Sequence, residues 1–184
     1  LKDTGRTMRD DRAQVVGFNR SVSRKANVSV ANSIKSGKLL PKHDRAINDY
    51  ISARSYRIND ALRCGAELNS NEKRIVRDLD SALSLLPDYK GTVYRSMSSS
   101  MMDINLFNAL HQIGNVISYE AYTSTSKAIY DDSMDIQLVI KAIHAKDISV
   151  WNVSEQEVLF GRNSYFIVKN RRGNIVFMEE MEYG

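Results

Sequence analysis

One cysteine, Cys64, stands alone in 184 residues, so no intrachain disulfide can form and a small disulfide-stapled scaffold is excluded. Cysteine is commonly buried as a small hydrophobe, and a buried thiol is the expectation for Cys64. The three histidines, His43, His111 and His144, form no cluster with it at metal-ligand spacing, so no metal is expected and these rings are read as solvated or structural. No apolar run approaches the length of a membrane span, and the first residues, Leu1-Lys2-Asp3-Thr4, are neither a signal peptide nor an initiator methionine. The chain therefore reads as a piece of a longer polypeptide, whose missing part would set the compartment. Neither G-x-G-x-x-G nor G-x-x-x-x-G-K-[ST] occurs, which removes the Rossmann and P-loop routes to nucleotide binding.

What charge there is leans basic: 26 Lys and Arg face 22 Asp and Glu, a net charge of +4. The excess lies mainly before residue 64, in Arg6, Arg9, Arg12, Arg20, Arg24, Lys25, Lys35, Lys38, Lys42 and Arg45. Such a face could meet an acidic surface. No base-stacking aromatics are interleaved with these cations, however, so a solvated arm is preferred to a nucleic-acid site.

Two regions follow from the patterning. Residues 1–44 are polar and basic, with short apolar patches such as Val15-Val16-Gly17-Phe18, and read as an arm or helical extension. Residues 45–184 read as one folded domain. Within it Ile47, Tyr50, Ile51, Tyr56, Ile58 and Leu62 recur at intervals of three or four, predicting an amphipathic helix that stops at Gly65. Asn69-Ser70-Asn71-Glu72 offers helix-capping residues, and Ile75, Val76, Leu79, Leu83 and Leu86 mark the face of a second helix ended by Pro87. Beyond Gly91 come β-type runs at 92–95, 137–142, 149–153, 158–160, 165–168 and 175–181, interrupted by a helix over 103–113. Arg171-Arg172-Gly173-Asn174 predicts a hairpin turn, since glycine accepts the positive φ that such turns need. Helices first and strands later predict an α+β fold with the helices packed on a sheet.

Three polar elements sit against apolar residues in this plan. Arg95, in Tyr94-Arg95-Ser96, lies in a predicted strand, where a guanidinium turned inward is costly unless it meets an anion; a phosphate would match its fork of donors. Ser124, Thr125 and Ser126 follow Tyr122 in another, and alternation puts Ser124 and Ser126 on one side, where a serine could fix a carboxylate's rotamer. Glu155 and Glu157 bracket Gln156 just before Val158-Leu159-Phe160. In extended chain two such carboxylates share a side of the backbone, about 6 to 7 Å apart at roughly 3.3 Å per residue. Each element taken singly also fits a structural ion pair, an edge strand or a solvated acidic stretch. About thirty residues separate each from the next, enough for a helix or loop plus a strand, so all three can converge on one cleft.

The order of Arg95, Ser124-Thr125-Ser126 and Glu155-Gln156-Glu157 resembles the R-S-E signature of arginine-specific mono-ADP-ribosyltransferases of the bacterial toxin and effector kind. The likeness extends upstream to the segment from Ile47 to Leu62 and covers about residues 45–182. It implies a mixed, largely antiparallel two-sheet β core with N-terminal helices, and NAD consumed as a substrate. In that scheme Arg95 binds the NAD phosphates, the backbone of Ser96 holds the nicotinamide carboxamide, and Ser124 hydrogen-bonds Glu157 while Thr125 and Ser126 shape the pocket. Glu157 takes the 2′-hydroxyl of the nicotinamide ribose and stabilises the oxocarbenium-like state; Glu155 engages the acceptor arginine.

An independent reason supports that last role, because a guanidinium with a pKa above about 12 is no nucleophile until a neighbouring carboxylate helps remove its proton. The loop Trp151-Asn152-Val153-Ser154 departs from the family in lacking its glycine, which leaves Trp151 open as either a substrate-contacting ring or a core residue. Tyr130 is a candidate to stack on nicotinamide. The implied partner is a target protein with an accessible arginine, with an inhibitory immunity-type protein as a possible second. The implied setting is a toxin domain, secreted or delivered into a target cell within a larger polypeptide. Two alternatives stay open: an NAD glycohydrolase that transfers to water, and a non-enzymatic basic binding module.

Overall fold

The computed structural model describes residues 38–182. The basic arm expected over 1–44 therefore falls mostly outside the described residues, and the drawn boundary at 44/45 lies inside the first helix, α1 (Pro41–Asp49). Proline at the first helical position suits that start, because its fixed φ matches the helix and its missing N–H costs no bond there. The helix expected over Ile47 to Leu62 is broken. α1 passes through a π-helical turn at Tyr50–Arg54, with Ser52 at ψ −178°, into α2 (Ser55–Cys64). Gly65 ends α2 at φ 65°, as expected. Cys64, in the last turn, is exposed, which corrects the expectation of a buried thiol: it lies off the apolar face set by Ile58 and Ala61.

α3 (Ser70–Leu85) opens on a reciprocal cap, in which Glu72 N donates to Asn69 Oδ1 at 2.9 Å and Asn69 N donates to Glu72 Oε2 at 2.9 Å. Its apolar stripe, Ile75, Leu79 and Ala82, packs with Ile47, Tyr50 and Ile58 of the kinked pair and with Tyr122, Ile148 and Leu159 from the sheet side. Burying side chains of this size contributes roughly 1.5–3 kcal/mol each. His43 ties α1 to α3: it accepts from Leu40 N at 3.0 Å through Nδ1, leaving Nε2–H to donate to Ser81 Oγ at 3.0 Å.

Seven strands follow, with a short helix, α4 (Ile104–Leu110), among them: β1 (Asp88–Met97), β2 (Val116–Tyr119), β3 (Thr123–Ser126), β4 (Ile136–Asp147), β5 (Glu157–Phe160), β6 (Ser164–Arg172) and β7 (Ile175–Glu180). β4 is the spine. It pairs antiparallel with β1 along the length of that strand and parallel with β7, which continues through β6 to β2 at the edge. Its last residues, Lys146 and Asp147, turn to pair with β5, which pairs with β3, and β3 closes back on β1 at Tyr94↔Ser126. The two sheets expected are thus joined through β1 and β4 into one mixed, largely antiparallel network. Between its arms lies a second core of Val93, Leu138, Ile140, Val158, Phe160 and Phe166. β5 serves both cores, Val158 and Phe160 facing one and Leu159 the other. The expected strand at 149–153 is a turn instead, and β2 was not anticipated.

α4 and β2 are joined by His111. Its Nδ1 donates to Phe107 O at 2.8 Å, Tyr119 Oη donates to its Nε2 at 2.7 Å, and the ring stacks on Phe107 at 3.9 Å. Both contacts fit the neutral ring with its proton on Nδ1, and burial lowers the His111 pKa to about 4. Unfolded, the ring titrates near 6.5, so between about pH 6.5 and 4 the unfolded chain binds the extra proton and stability falls as pH falls. Over that window His111 is expected to remove about 3 kcal/mol. Urea midpoints at pH 7 and pH 4.5 check this: the fall should be clearly smaller in His111→Gln, and an equal fall would show that His111 is not its source.

Candidate active site

β1 delivers Arg95 from its well-buried half, between Val93 and Met97. The residue is 3% exposed, and its Nη1 donates to the carbonyl of Ser124 at 2.8 Å. Burial lowers its pKa to about 10, partly offset by Tyr119 and by the negative charge of Glu157, so it remains a cation at neutral pH. A buried guanidinium that donates to a strand carbonyl and feels the negative charge of a nearby carboxylate is the kind of cation that forks onto an anion. The next residue, Ser96, donates to Gln137 Oε1 at 2.8 Å and accepts from Asp131 N at 3.4 Å. Gln137 Nε2 also donates to the carbonyl of Asp131 at 2.8 Å, so one amide fastens the loop after β3 to β1. Tyr130 sits half-buried in that loop.

All four residues of β3 are buried. Ser124 Oγ donates to Glu157 Oε1 at 2.6 Å, the bond that the resemblance implies, and Thr125 Oγ1 donates to the carbonyl of Val158 at 2.6 Å. Ser126 stands in register with Tyr94 on one side and Glu157 on the other, and its buried hydroxyl has no hydrogen-bond partner among the described residues. Glu157 opens β5 at 0% exposure and Glu155 is 1% exposed.

The acid pair does not come together by strand alternation. Gln156 takes φ 46° in a turn, and backbone bonds fold the stretch from Ile148 onward: Trp151 N and Asn152 N donate to Ile148 O at 3.0 and 3.2 Å, and Gln156 N donates to Val153 O at 3.3 Å. Two more bonds pin this turn to the sheet, from Lys127 N to Gln156 O at 3.2 Å and from Ile148 N to Glu157 O at 3.0 Å. What bridges the acids is Asn152, whose Nδ2 donates to Glu155 Oε2 at 2.9 Å and to Glu157 Oε2 at 2.6 Å. Sequence reasoning passed over this residue; its only signal was a short amide side chain just upstream of two acids. Trp151 is a structural ring, packed on the helical core with Nε1 donating to Asp44 Oδ1 at 2.8 Å. His43 and His111 are likewise structural, and His144 is half-exposed beside Asp88.

Beside the cluster opens a cavity of about 340 Å³, whose wall includes Arg63, Arg95, Met97, Tyr119, Glu120 and Thr123. It reaches the buried cation, whereas Ser124, Glu155 and Glu157 do not line it. Among the described residues no cluster of His, Cys, Asp or Glu is arranged to hold a metal ion. The site is one cation, buried hydroxyls and two bridged acids, joined by the chain Arg95, Ser124, Glu157, Asn152, Glu155.

Residues 30–182 match the family model described as ADP-ribosyltransferase exoenzyme. Over 84 residues the chain is 36% identical to the putative NAD(+)--arginine ADP-ribosyltransferase Vis of Vibrio splendidus (strain 12B01), an alignment covering 45% of this chain and 32% of that protein. The chain thus spans about a third of the length of that curated relative. Among solved structures, Vis in complex with agmatine superposes with a TM-score of 0.65 at 23% identity, covering 94% of this chain and 90% of that one. Exoenzyme S from Pseudomonas aeruginosa, in complex with human 14-3-3 protein beta and bound to carba-NAD, gives 0.65 at 18% identity, covering 95% and 88%. These two superpositions show a shared α+β fold.

Proposed function

Since this chain belongs to the ADP-ribosyltransferase exoenzyme family, we propose that it transfers ADP-ribose from NAD to an arginine side chain of a target protein and releases nicotinamide. The observation that carries this reading is the bonded chain from Arg95 through Ser124 to Glu157, with Glu155 fastened beside it. In this scheme Arg95 takes the NAD phosphates, reached through the cavity beside it, and Ser96 and the loop that it anchors hold the nicotinamide end. As the bond from the ribose C1′ to nicotinamide breaks, the electron pair leaves with the nicotinamide nitrogen, and positive charge grows on C1′ and the ring oxygen. Glu157, turned by Ser124 and Asn152, holds the ribose 2′-hydroxyl and lowers the energy of that cation. A guanidinium nitrogen of the acceptor then bonds to C1′, and its proton passes to Glu155.

The relatives support the two substrates. Vis has been solved with agmatine, which carries a guanidinium, and exoenzyme S with carba-NAD, an analogue of the dinucleotide. Exoenzyme S was captured with a 14-3-3 protein, and a type III effector, XopAI, shares the fold; both favour a toxin or effector domain that works after delivery into a target cell. An inhibitory protein that blocks the cleft would be its counterpart in a producing cell.

The test is a thermal-shift titration with NAD alongside an assay of nicotinamide release in the presence and absence of agmatine. NAD should raise the melting temperature of the native chain, and agmatine should raise the rate of release. In Arg95→Lys the NAD-dependent shift should fall by more than half, because an ammonium cannot fork onto two phosphate oxygens. No shift and no release by the native chain would refute the proposal. Release that ignores agmatine would favour transfer to water.

A further inference from the structure

We infer that Asn152 is a positioning residue that holds Glu155 and Glu157 ionised side by side, one hydrogen of its amide on each; its kinetic consequences rest on the transferase reading above. Both partners of Nδ2 are carboxylate oxygens, at 2.9 and 2.6 Å, and only the NH2 end of the amide can serve two acceptors at once. All three side chains are buried: Asn152 is 4% exposed, Glu155 1% and Glu157 0%. Two carboxylates enclosed together ordinarily share a proton, because the second charge is repelled by the first. Donors aimed at the charged forms oppose that. Glu157 has two of them, Ser124 on Oε1 and Asn152 on Oε2.

The amide does more than close the turn. Backbone bonds at Trp151, Asn152 and Gln156 fold the turn, and those from Lys127 and Ile148 fasten it to the sheet, none of which needs the Asn152 side chain. The side chain has its own support, since Ser154 Oγ donates to Asn152 Oδ1 at 3.4 Å and the neighbouring Trp151 is fixed to Asp44 on α1. Charged and titratable groups near the cluster include Arg95 on β1, which feels the charge of Glu157, Tyr119 beside Arg95, Arg63 and Glu120 on the cavity wall, the Lys127–Asp147 ion pair at the foot of the turn, and Asp44 behind Trp151. Of these, Arg95 carries the charge opposite to the acids, and the Asn152 amide reaches Glu155, the acid that must accept the guanidinium proton. A protonated Glu155 could not accept it. On this reading Asn152 sets the lower pH limit of transfer.

Two variants test the inference, Asn152→Ala and Asn152→Leu, the second keeping a side chain of similar shape and no charge while removing the amide hydrogens. With the glutamate side-chain carboxyl carbons labelled with carbon-13, NMR titration of the native chain should show both acids of the pair ionised at neutral pH. In each variant the pair should take up a proton, with an apparent pKa raised by roughly one unit or more. The acid limb of the pH profile for transfer to agmatine should move up by a similar amount, so that the loss of transfer grows as pH falls. Should Asn152→Ala not fold, Asn152→Leu carries the same readouts. Carboxyl titrations and pH profiles that match the native chain, even with a lowered melting temperature, would overturn the inference and leave Asn152 a purely structural residue. If the native chain neither cleaves NAD nor modifies agmatine, the transferase reading fails, and the NMR titration still decides the role of Asn152.

Discussion

Glu157→Ala is expected to reduce nicotinamide release by at least about 10²–10³-fold, the range seen when a single group stabilising a charged transition state is removed. Glu157 is completely buried, both of its carboxylate oxygens are held by donors, and it stands in register with Ser126 of the hydroxyl strand. These contacts fix one rotamer before substrate arrives, so the charge opposes the developing ribose cation without reorganisation. The apolar residues that follow, Val158, Leu159 and Phe160, hold β5 in both cores independently of the carboxylate. Glu157→Gln preserves the shape and should be nearly as inactive, which separates lost charge from lost packing. Nicotinamide release within tenfold of native in either variant would remove Glu157 from the chemistry.

Glu155→Gln should divide the two halves of the reaction. The change leaves an oxygen to accept from Asn152 Nδ2, so the pairing with Glu157 and the turn around Gln156 should survive. NAD cleavage to free ADP-ribose should continue within a few-fold of native, while transfer to agmatine should fall by roughly 10²-fold, at the low end of what positioned acid–base groups contribute. Measuring released nicotinamide and modified agmatine in the same sample gives the ratio directly. A parallel loss of both activities would mean that Glu155 acts on NAD and not on the acceptor.

Much of this architecture was legible from local chemistry. Gly65, the Asn69–Glu72 cap and the Arg171–Asn174 turn mark element ends through backbone preferences that tertiary packing did not override. The stripes at Ile47, Ile58, Ile75 and Leu79 place the helical core, and Arg95, Ser124 and Glu157 do converge. The missed features are those decided by long-range partners. Ser149 to Val153 carries β-type residues, yet the segment must bend so that Asn152 reaches both acids, and no propensity encodes that demand. β2 is a four-residue strand that, among the described residues, pairs only with β6, too short a period to stand out. The break at Ser52 leaves the spacing of apolar residues nearly intact, so a continuous helix was the natural reading. Cys64 shows the reverse case, in which residue type suggested burial and position on the helix decided exposure.

The central claim, that these buried groups together move ADP-ribose onto a guanidinium, is tested most directly by mapping the product. The chain is incubated with NAD and an arginine-bearing acceptor protein, and the modified peptides are fragmented by mass spectrometry. The prediction is a single ADP-ribose on arginine side chains, formed by the native chain and absent with Glu157→Ala. Adducts confined to other residue types, or arginine adducts formed equally by Glu157→Ala, would contradict it.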